Sequence, residues 1–396
     1  MTTYLRGNRR RRQSPGGEGG GAQQVEAREP RGPARRGAYA STQEVYAALD
    51  LGTNNCRLLV ARPHLEGFRV IDAFSRIVRL GEGLGGSGNL SESAMNRTLE
   101  ALKFCAKKMR RRGVTRVRAV ATEACRRAGN CGAFLHRVER ETGIRLEIIS
   151  SNEEASLAIF GCAPLLDRTV PNALVFDIGG GSTEVSWIDV DGIGPGQGEL
   201  TRILNDSPEQ ALLGWHSVPL GVVSLTERHG RREVTRETYE EMVGEVAESL
   251  AAFEAAHGLK ERVGRGEVQM LGTSGTVTTL AGIHSKLPRY DRSVVDGAYL
   301  DFDTVRDISR DLAAMSFEER AACPCIGRER ADLVVAGCAI LEALCVLWPV
   351  GRLRVADRGL REGILFMLMH DQRRQRAPRR ARRWKGYGPN GHGRTA

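Results

Sequence analysis

The stretch LVFDIGGGSTEVSW, residues 174–187, reads as a buried strand, a glycine turn and a second strand, with Asp177 where the apolar run stops. Three successive glycines, Gly179, Gly180 and Gly181, open backbone angles closed to other residues and let N–H groups approach an anion unshielded. Ser182 and Thr183 add hydroxyl donors, while Asp177 and Glu184 bracket the turn with carboxylates. A bare phosphate site would repel both acids, so a hard cation between carboxylates and phosphate oxygens reconciles the set. The plainer alternative is a glycine-rich hairpin that only turns the chain.

The pattern occurs again upstream in VYAALDLGTNNCRLLV, residues 45–60, where Asp50 matches Asp177 and Gly52, Thr53 and Asn54 form the turn. A third glycine turn, LGTSGT at 271–276, offers Gly272, Thr273 and Ser274 ahead of a run that can start a helix. Two Asp-Gly hairpins followed by a Gly-Thr-Ser-Gly turn resemble the phosphate and nucleotide motifs of the actin-like ATPase superfamily. A further pair of acids, Glu153 and Glu154, follows a strand at 145–149 and opens a helix that Ser151 or Asn152 can cap. Acids in a first helical turn are often there only for the helix dipole. Neighbours on a helix nevertheless project about 100° apart, so one acid can face a cleft while the other faces solvent.

The elements that must hold these groups follow from pattern. Apolar residues at Met95, Leu99, Leu102 and Met109 mark a helix over 91–112, and Tyr239, Met242, Val246, Leu250 and Phe253 mark one over 236–257. Strands are expected at 68–74, 76–80, 116–121 and 352–357, and helices at 131–142, 277–283, 300–315 and 331–347, with a short helix ending near Met369. Residues 81–88 read as a mobile loop, and 189–215 as a polar, glycine-rich loop. Residues 333–350 are apolar enough to resemble a membrane span, but Glu342 and Pro349 within them favour a buried core helix.

With 41% hydrophobic and 27% charged residues the chain has ordinary globular composition, and 396 residues suffice for two domains. Its net charge of +10 is a property of the ends: residues 1–43 carry +6 and residues 372–396 carry +9, leaving −5 for the body. The first 43 residues lack an apolar period and are expected to be a disordered basic arm. Either basic tail can touch nucleic acid, and a solvated arm without a partner explains the composition equally well. No apolar stretch follows the N-terminal arginines, so a secretory signal is not expected. Nine cysteines without a C-x-x-C pair point to reduced thiols in a cytoplasmic protein.

Seven motifs in order give the sequence a resemblance to the exopolyphosphatase / guanosine pentaphosphate phosphohydrolase family. They are LDLGTNN (49–55), ATEACRRAGN (121–130), ISSNEEA (149–155), FDIGGGSTE (176–184), PLGVVSLTE (219–227), GTSGT (272–276) and DRGLREG (357–363). The resemblance implies an α/β, actin-like ATPase (ribonuclease-H-type) fold with two domains around a cleft, placed here at 44–166 and 167–371. It implies removal of a terminal phosphate from inorganic polyphosphate or from a guanosine alarmone, with Mg2+ as cofactor. Carried over residue by residue, Glu154 matches the catalytic base and Arg126 the arginine that grips the polyanion. Asp177 and Glu184 match the metal-associated carboxylates. Gly52, Thr53 and Asn54, Gly180, Gly181 and Ser182, and Gly272, Thr273 and Ser274 match the phosphate-holding turns. Long members continue into a helical phosphohydrolase-type region, and a basic tail stands there instead, so a short form is expected. No membrane partner is implied, and a homodimer stays open. Polyphosphate hydrolysis is the favoured expectation. A guanosine pentaphosphate 5′-phosphatase, a nonhydrolytic polyphosphate or alarmone sensor and a sugar kinase are the competing readings, the last disfavoured by the Asn-Glu-Glu motif.

Overall fold

The computed structural model describes residues 44–64, 67–190, 212–230 and 234–376. The arm at 1–43, the tail beyond residue 376 and residues 191–211 of the expected polar loop lie outside the described residues.

The first sheet comprises β1 (Tyr46–Leu51), β2 (Asn55–His64), β3 (Gly67–Ile77), β4 (Arg116–Ala121) and β5 (Glu147–Ile148), in the order β3-β2-β1-β4-β5. Its helices are α1 (Leu84–Ser87), α2 (Glu92–Arg112), α3 (Glu123–Arg127), α4 (Cys131–Thr142) and α5 (Ser151–Cys162). The second sheet comprises β6 (Asn172–Ile178), β7 (Thr183–Asp189), β8 (Leu212–Val218), β9 (Val268–Ser274), β10 (Tyr299–Asp301) and β11 (Arg352–Ala356), in the order β10-β11-β9-β6-β7-β8. With it come α6 (Val222–His229), α7 (Arg236–His257), α8 (Leu259–Gly264), α9 (Gly275–His284), α10 (Arg292–Val295), α11 (Phe302–Ala314), α12 (Phe317–Ala322), α13 (Val334–Leu347) and α14 (Leu360–Arg376). In each sheet the first strand pairs antiparallel with the second and parallel with the fourth, so β8-β7-β6-β9-β11 repeats β3-β2-β1-β4-β5. This duplicated ribonuclease-H-type sheet is the actin-like fold.

β1 and β6 are apolar on both faces because both faces are covered. Ala47, Leu49 and Leu51 enter one core and Tyr46 and Ala48 another, while Leu174 and Phe176 are separated in the same way from Ala173 and Val175. The membrane-like run at 333–350 is core: α13 is buried along most of its length, only Val346 being exposed, Tyr239 donates to Glu342 at 2.6 Å, and among the described residues no helix is long and apolar enough to cross a membrane.

Some expectations are corrected. Residues 81–88 contain the single turn α1, and residues 212–215 are strand, not loop. The expected strand at 145–149 shrinks to Glu147–Ile148, the helix at 300–315 starts only at Phe302, and the final helix runs past Met369 to Arg376.

α14 leaves β11 and lies against the first sheet, Ile364 and Leu365 packing with Tyr46 and Ala48 of β1 and Leu157 of α5. Glycine permits the α5–α14 crossing. A Cβ on Gly363 would lie 2.0 Å from the Leu157 carbonyl oxygen, and one on Gly161 2.0 Å from that of Gly359. Gly363→Ala should therefore lose about 2 kcal/mol despite alanine's better helix propensity. At Gly244 of α7 a Cβ meets open space, so Gly244→Ala should gain about 0.5–1 kcal/mol. Urea unfolding of the two variants checks the contrast, and equal shifts would refute the steric account.

Candidate active site

The two Asp-Gly hairpins close identically, Gly52 N–H donating to Asn55 O and Gly179 N–H to Ser182 O, each at 2.9 Å. None of Gly179, Gly180 or Gly181 adopts positive φ, which corrects the expectation that unusual backbone angles require these three glycines. Space requires them. A Cβ on Gly180 would stand 3.1 Å from the Asn54 nitrogen, and one on Gly181 2.8 Å from Thr53 Oγ1 and 2.9 Å from Glu123 Cγ. The hairpins of the two sheets thus touch at their tips. The PLGVVSLTE stretch supports the second tip from behind, because unpaired N–H groups at the start of α6 find acceptors there: Val222 donates to Gly179 O at 3.0 Å and Val223 to Gly180 O at 2.8 Å.

The third glycine motif is not a turn. Gly272, Thr273 and Ser274 complete β9, and Gly272 makes room for the Phe176 ring, which a Cβ would approach to 2.5 Å. Register sets Thr273 opposite Asp177. Its hydroxyl donates to Arg358 O at 3.0 Å, and Ser274 Oγ caps α9 by accepting from Val277 N–H at 3.0 Å.

Asp177 pairs across β6 and β7 with Glu184, which is buried and accepts from Ser182 Oγ at 2.6 Å and Ser217 Oγ at 3.0 Å. Glu154 sits in the first turn of α5, whose cap is Ser150, accepting from Glu153 N–H at 3.1 Å, in place of the expected Ser151 or Asn152. Glu154 accepts from Arg126 Nη1 at 2.7 Å, whereas Glu153 turns away to Arg118. The guanidinium of Arg126 also donates to Glu123 at 3.1 and 2.9 Å and to Ile149 O at 3.0 Å. It is therefore held among protein acceptors, and its immediate work is to fix Glu154.

Burial pushes the Asp177 carboxyl up to about 7, with Glu154 and Asp50 adding and Arg57 and Arg361 opposing. Burial likewise takes Glu184 up to about 7, reinforced by Asp177 against the Ser182 and Ser217 hydrogen bonds, and Glu154 up to about 8, reinforced by Glu184 against Arg126. Asp50 is raised by burial, opposed by Arg57 and Arg361. Sequence reasoning passed over Arg57, Glu123, Ser217 and Arg361. The hairpin repeat signals Arg57, which faces Asp50 in register as Glu184 faces Asp177.

Crowded hard oxygen donors suit a cation of the magnesium type. Among the described residues no group of three or more His, Cys, Asp or Glu is arranged to hold a metal. Asp177 and Glu184 bring two carboxylates together across β6 and β7, fewer than would hold an ion by protein ligands alone. Beside the hairpin tips opens a cavity of about 530 Å³, lined among others by Thr53, Glu123, Arg127, Gly181, Val223 and Arg228.

A family model described as the Ppx/GppA phosphatase family matches residues 59–372. Among solved structures, the chain is similar to the Ppx/GppA family member of Aquifex aeolicus, at 28% identity and TM-score 0.63 over 83% of this chain and 98% of that one. It is similar to an exopolyphosphatase from Cytophaga hutchinsonii at 25% identity and TM-score 0.71, over 83% and 98% of the two chains. An exopolyphosphatase-like protein matches at 27% identity and TM-score 0.71, over 82% and 97%.

The raised pKa of Asp177 predicts a pH effect. In the unfolded chain an Asp loses its proton near pH 4, whereas folded Asp177 keeps it to about 7. Over that window the folded state binds more protons, so its stability falls as pH rises. Asp177→Asn abolishes the titration and, in chelator, should melt roughly 2–5 °C above the unaltered protein at pH 8. The advantage should shrink toward pH 4. Calorimetry across that range decides it, and a pH-independent difference would refute the argument.

Proposed function

The chain belongs to the Ppx/GppA phosphatase family, and we propose that it is an exopolyphosphatase, releasing the terminal phosphate of inorganic polyphosphate by in-line attack of water. The observation that carries this reading is Glu154, whose pKa burial raises, making its carboxylate a stronger base, and which Arg126 holds beside two touching hairpins and the Asp177–Glu184 pair. In the reaction the water oxygen bonds to the terminal phosphorus, the bridging P–O bond breaks, and the water proton passes to a Glu154 oxygen. The shortened polyphosphate leaves as an anion. Phosphoryl transfer of this kind needs positioning and charge stabilisation more than covalent chemistry. The hairpin tips at Thr53, Asn54, Gly180 and Gly181 supply polar backbone at close range, and Thr273 and Ser274 border Asp177. Mg2+, held by Asp177 and Glu184, would offset the charge of the phosphoryl oxygens when bound.

Two solved structures similar to this chain are an exopolyphosphatase and an exopolyphosphatase-like protein. Polyphosphate is favoured over the guanosine alarmone by the cavity, where the described lining residues include Arg127 and Arg228 beside Glu123 and Glu227 but no aromatic ring on which a purine would stack. A nonhydrolytic sensor has no need of Glu154. Nine free cysteines suit a reducing, cytoplasmic setting.

Phosphate release from long polyphosphate, short polyphosphate and guanosine pentaphosphate, with Mg2+ and with chelator, tests the proposal. Faster turnover of guanosine pentaphosphate would transfer the assignment to the alarmone, and no release from any of them would leave the sensor. Glu154→Gln should lower kcat by about 10²–10⁴-fold, the usual contribution of a general base. Glu153→Gln should stay within about threefold, because it loses only a surface ion pair. The reverse ranking would refute the base assignment.

A further inference from the structure

One short segment, residues 78–83, touches both halves of the cleft. Its backbone holds the first hairpin: Val78 and Arg79 N–H donate to Asn54 O at 2.8 and 3.0 Å, and Gly81 N–H donates to Thr53 O at 2.9 Å. Its outer groups hold the second half. Arg79 Nη1 donates to Asp332 Oδ2 at 2.8 Å and Nη2 to Asp332 Oδ1 at 3.0 Å, with Nη2 also reaching Glu329 O at 3.1 Å. Gly83 N–H donates to Glu227 Oε1 on α6 at 2.9 Å.

The Arg79–Asp332 fork is partly withdrawn from water, the side chains being 27% and 11% exposed. A two-pronged guanidinium–carboxylate pair fixes orientation as well as distance, so a shift of residues 329–332 is transmitted to the Arg79 backbone. That backbone is strained. Arg79 has φ 49°, one of two non-glycine residues with positive φ among the described residues, a conformation that persists only where surrounding bonds impose it. Arg97 pins the segment from the first half, donating to Val78 O at 3.1 Å and to Glu82 at 2.9 Å.

We infer that Arg79 and Asp332 are positioning residues that couple closure of the cleft to placement of the first hairpin. Thr53 and Asn54 reach their seats against Gly180 and Gly181 when the fork is made, and loosen when residues 329–332 draw away. The consequence for rate rests on the phosphohydrolase reading above, whereas the coupling does not.

Asp332→Ala removes the fork from outside the first half, and hydrogen exchange of the full chain reads the result. The amides of Val78, Arg79 and Gly81 should exchange at least 10-fold faster than in the unaltered protein, while those of Gly179, Val222 and Val223 at the second hairpin keep their rates. Unchanged exchange at residues 78–81, or uniform acceleration at both hairpins with a lowered Tm, would overturn the coupling. For phosphate release from short polyphosphate, Arg79→Ala and Asp332→Ala should each lower kcat about 10-fold, and the double variant should lose no more than the worse single one. Multiplying losses would overturn the shared action. Selective exchange in a protein that releases no phosphate from polyphosphate would sustain the coupling and refute the substrate assignment.

Discussion

The site depends on one contact, the meeting of two glycine hairpins so closely that a Cβ on Gly181 would clash with Thr53 and Glu123 and one on Gly180 would crowd Asn54. Each hairpin belongs to a different sheet, so the contact places β1 and β6, and with them Asp50 and Asp177, on either side of one cleft. The rest of the chain is arranged to keep that contact. α6 gives its first N–H groups to the second hairpin, residues 78–81 give theirs to the first, and the glycine-mediated crossing of α5 and α14 carries Glu154 to the edge of both.

The contact has an electrostatic cost. Asp177, Glu184 and Glu154 are drawn from water together, and burial and mutual repulsion make all three weaker acids. Hydrophobic packing must offset that loss, and the apolar faces of β6 on both sides supply it. Arg126 lowers the cost locally by donating to Glu154, but Glu123 on the same arginine prevents full neutralisation. A polyanionic substrate alone would worsen the repulsion. Under the proposed reaction, a cation accompanying the phosphate would relieve that repulsion, as general electrostatics requires of carboxylates facing phosphoryl oxygens.

Much of this was legible in the sequence because it is local. A strand that stops at Asp before glycine announces a hairpin, and the repeated pattern around Asp50 and Asp177 announces a duplicated sheet. The 100° separation of Glu153 and Glu154 on a helix anticipated their divergence to Arg118 and Arg126. What escaped was set by distant contacts. GTSGT has turn composition, yet Gly272 is a strand residue because the Phe176 ring, on a neighbouring strand, occupies the space a side chain would need. The purpose of Arg79 lay equally out of reach, since its partner Asp332 belongs to the other half. The basic composition beyond Asp371 suggested a tail, while α14 continues to Arg376.

The duplication also explains why the cleft is polarised. The hairpins share backbone geometry and an Asp at the same place, but the cross-strand partner is Arg57 in the first and Glu184 in the second. Arg57 lies close enough to Asp177 to oppose the rise in its pKa, and Arg361 from the start of α14 acts in the same sense. One copy therefore contributes cationic charge and the other a carboxylate pair. Two identical carboxylate hairpins would repel each other and any phosphate between them. Two identical arginine hairpins would bind phosphate firmly but leave no acidic pair for a hard cation. Divergence at this single cross-strand position sets a guanidinium beside the Asp of one sheet and a second carboxylate beside the Asp of the other, so neither sheet alone brings both charges to the cleft.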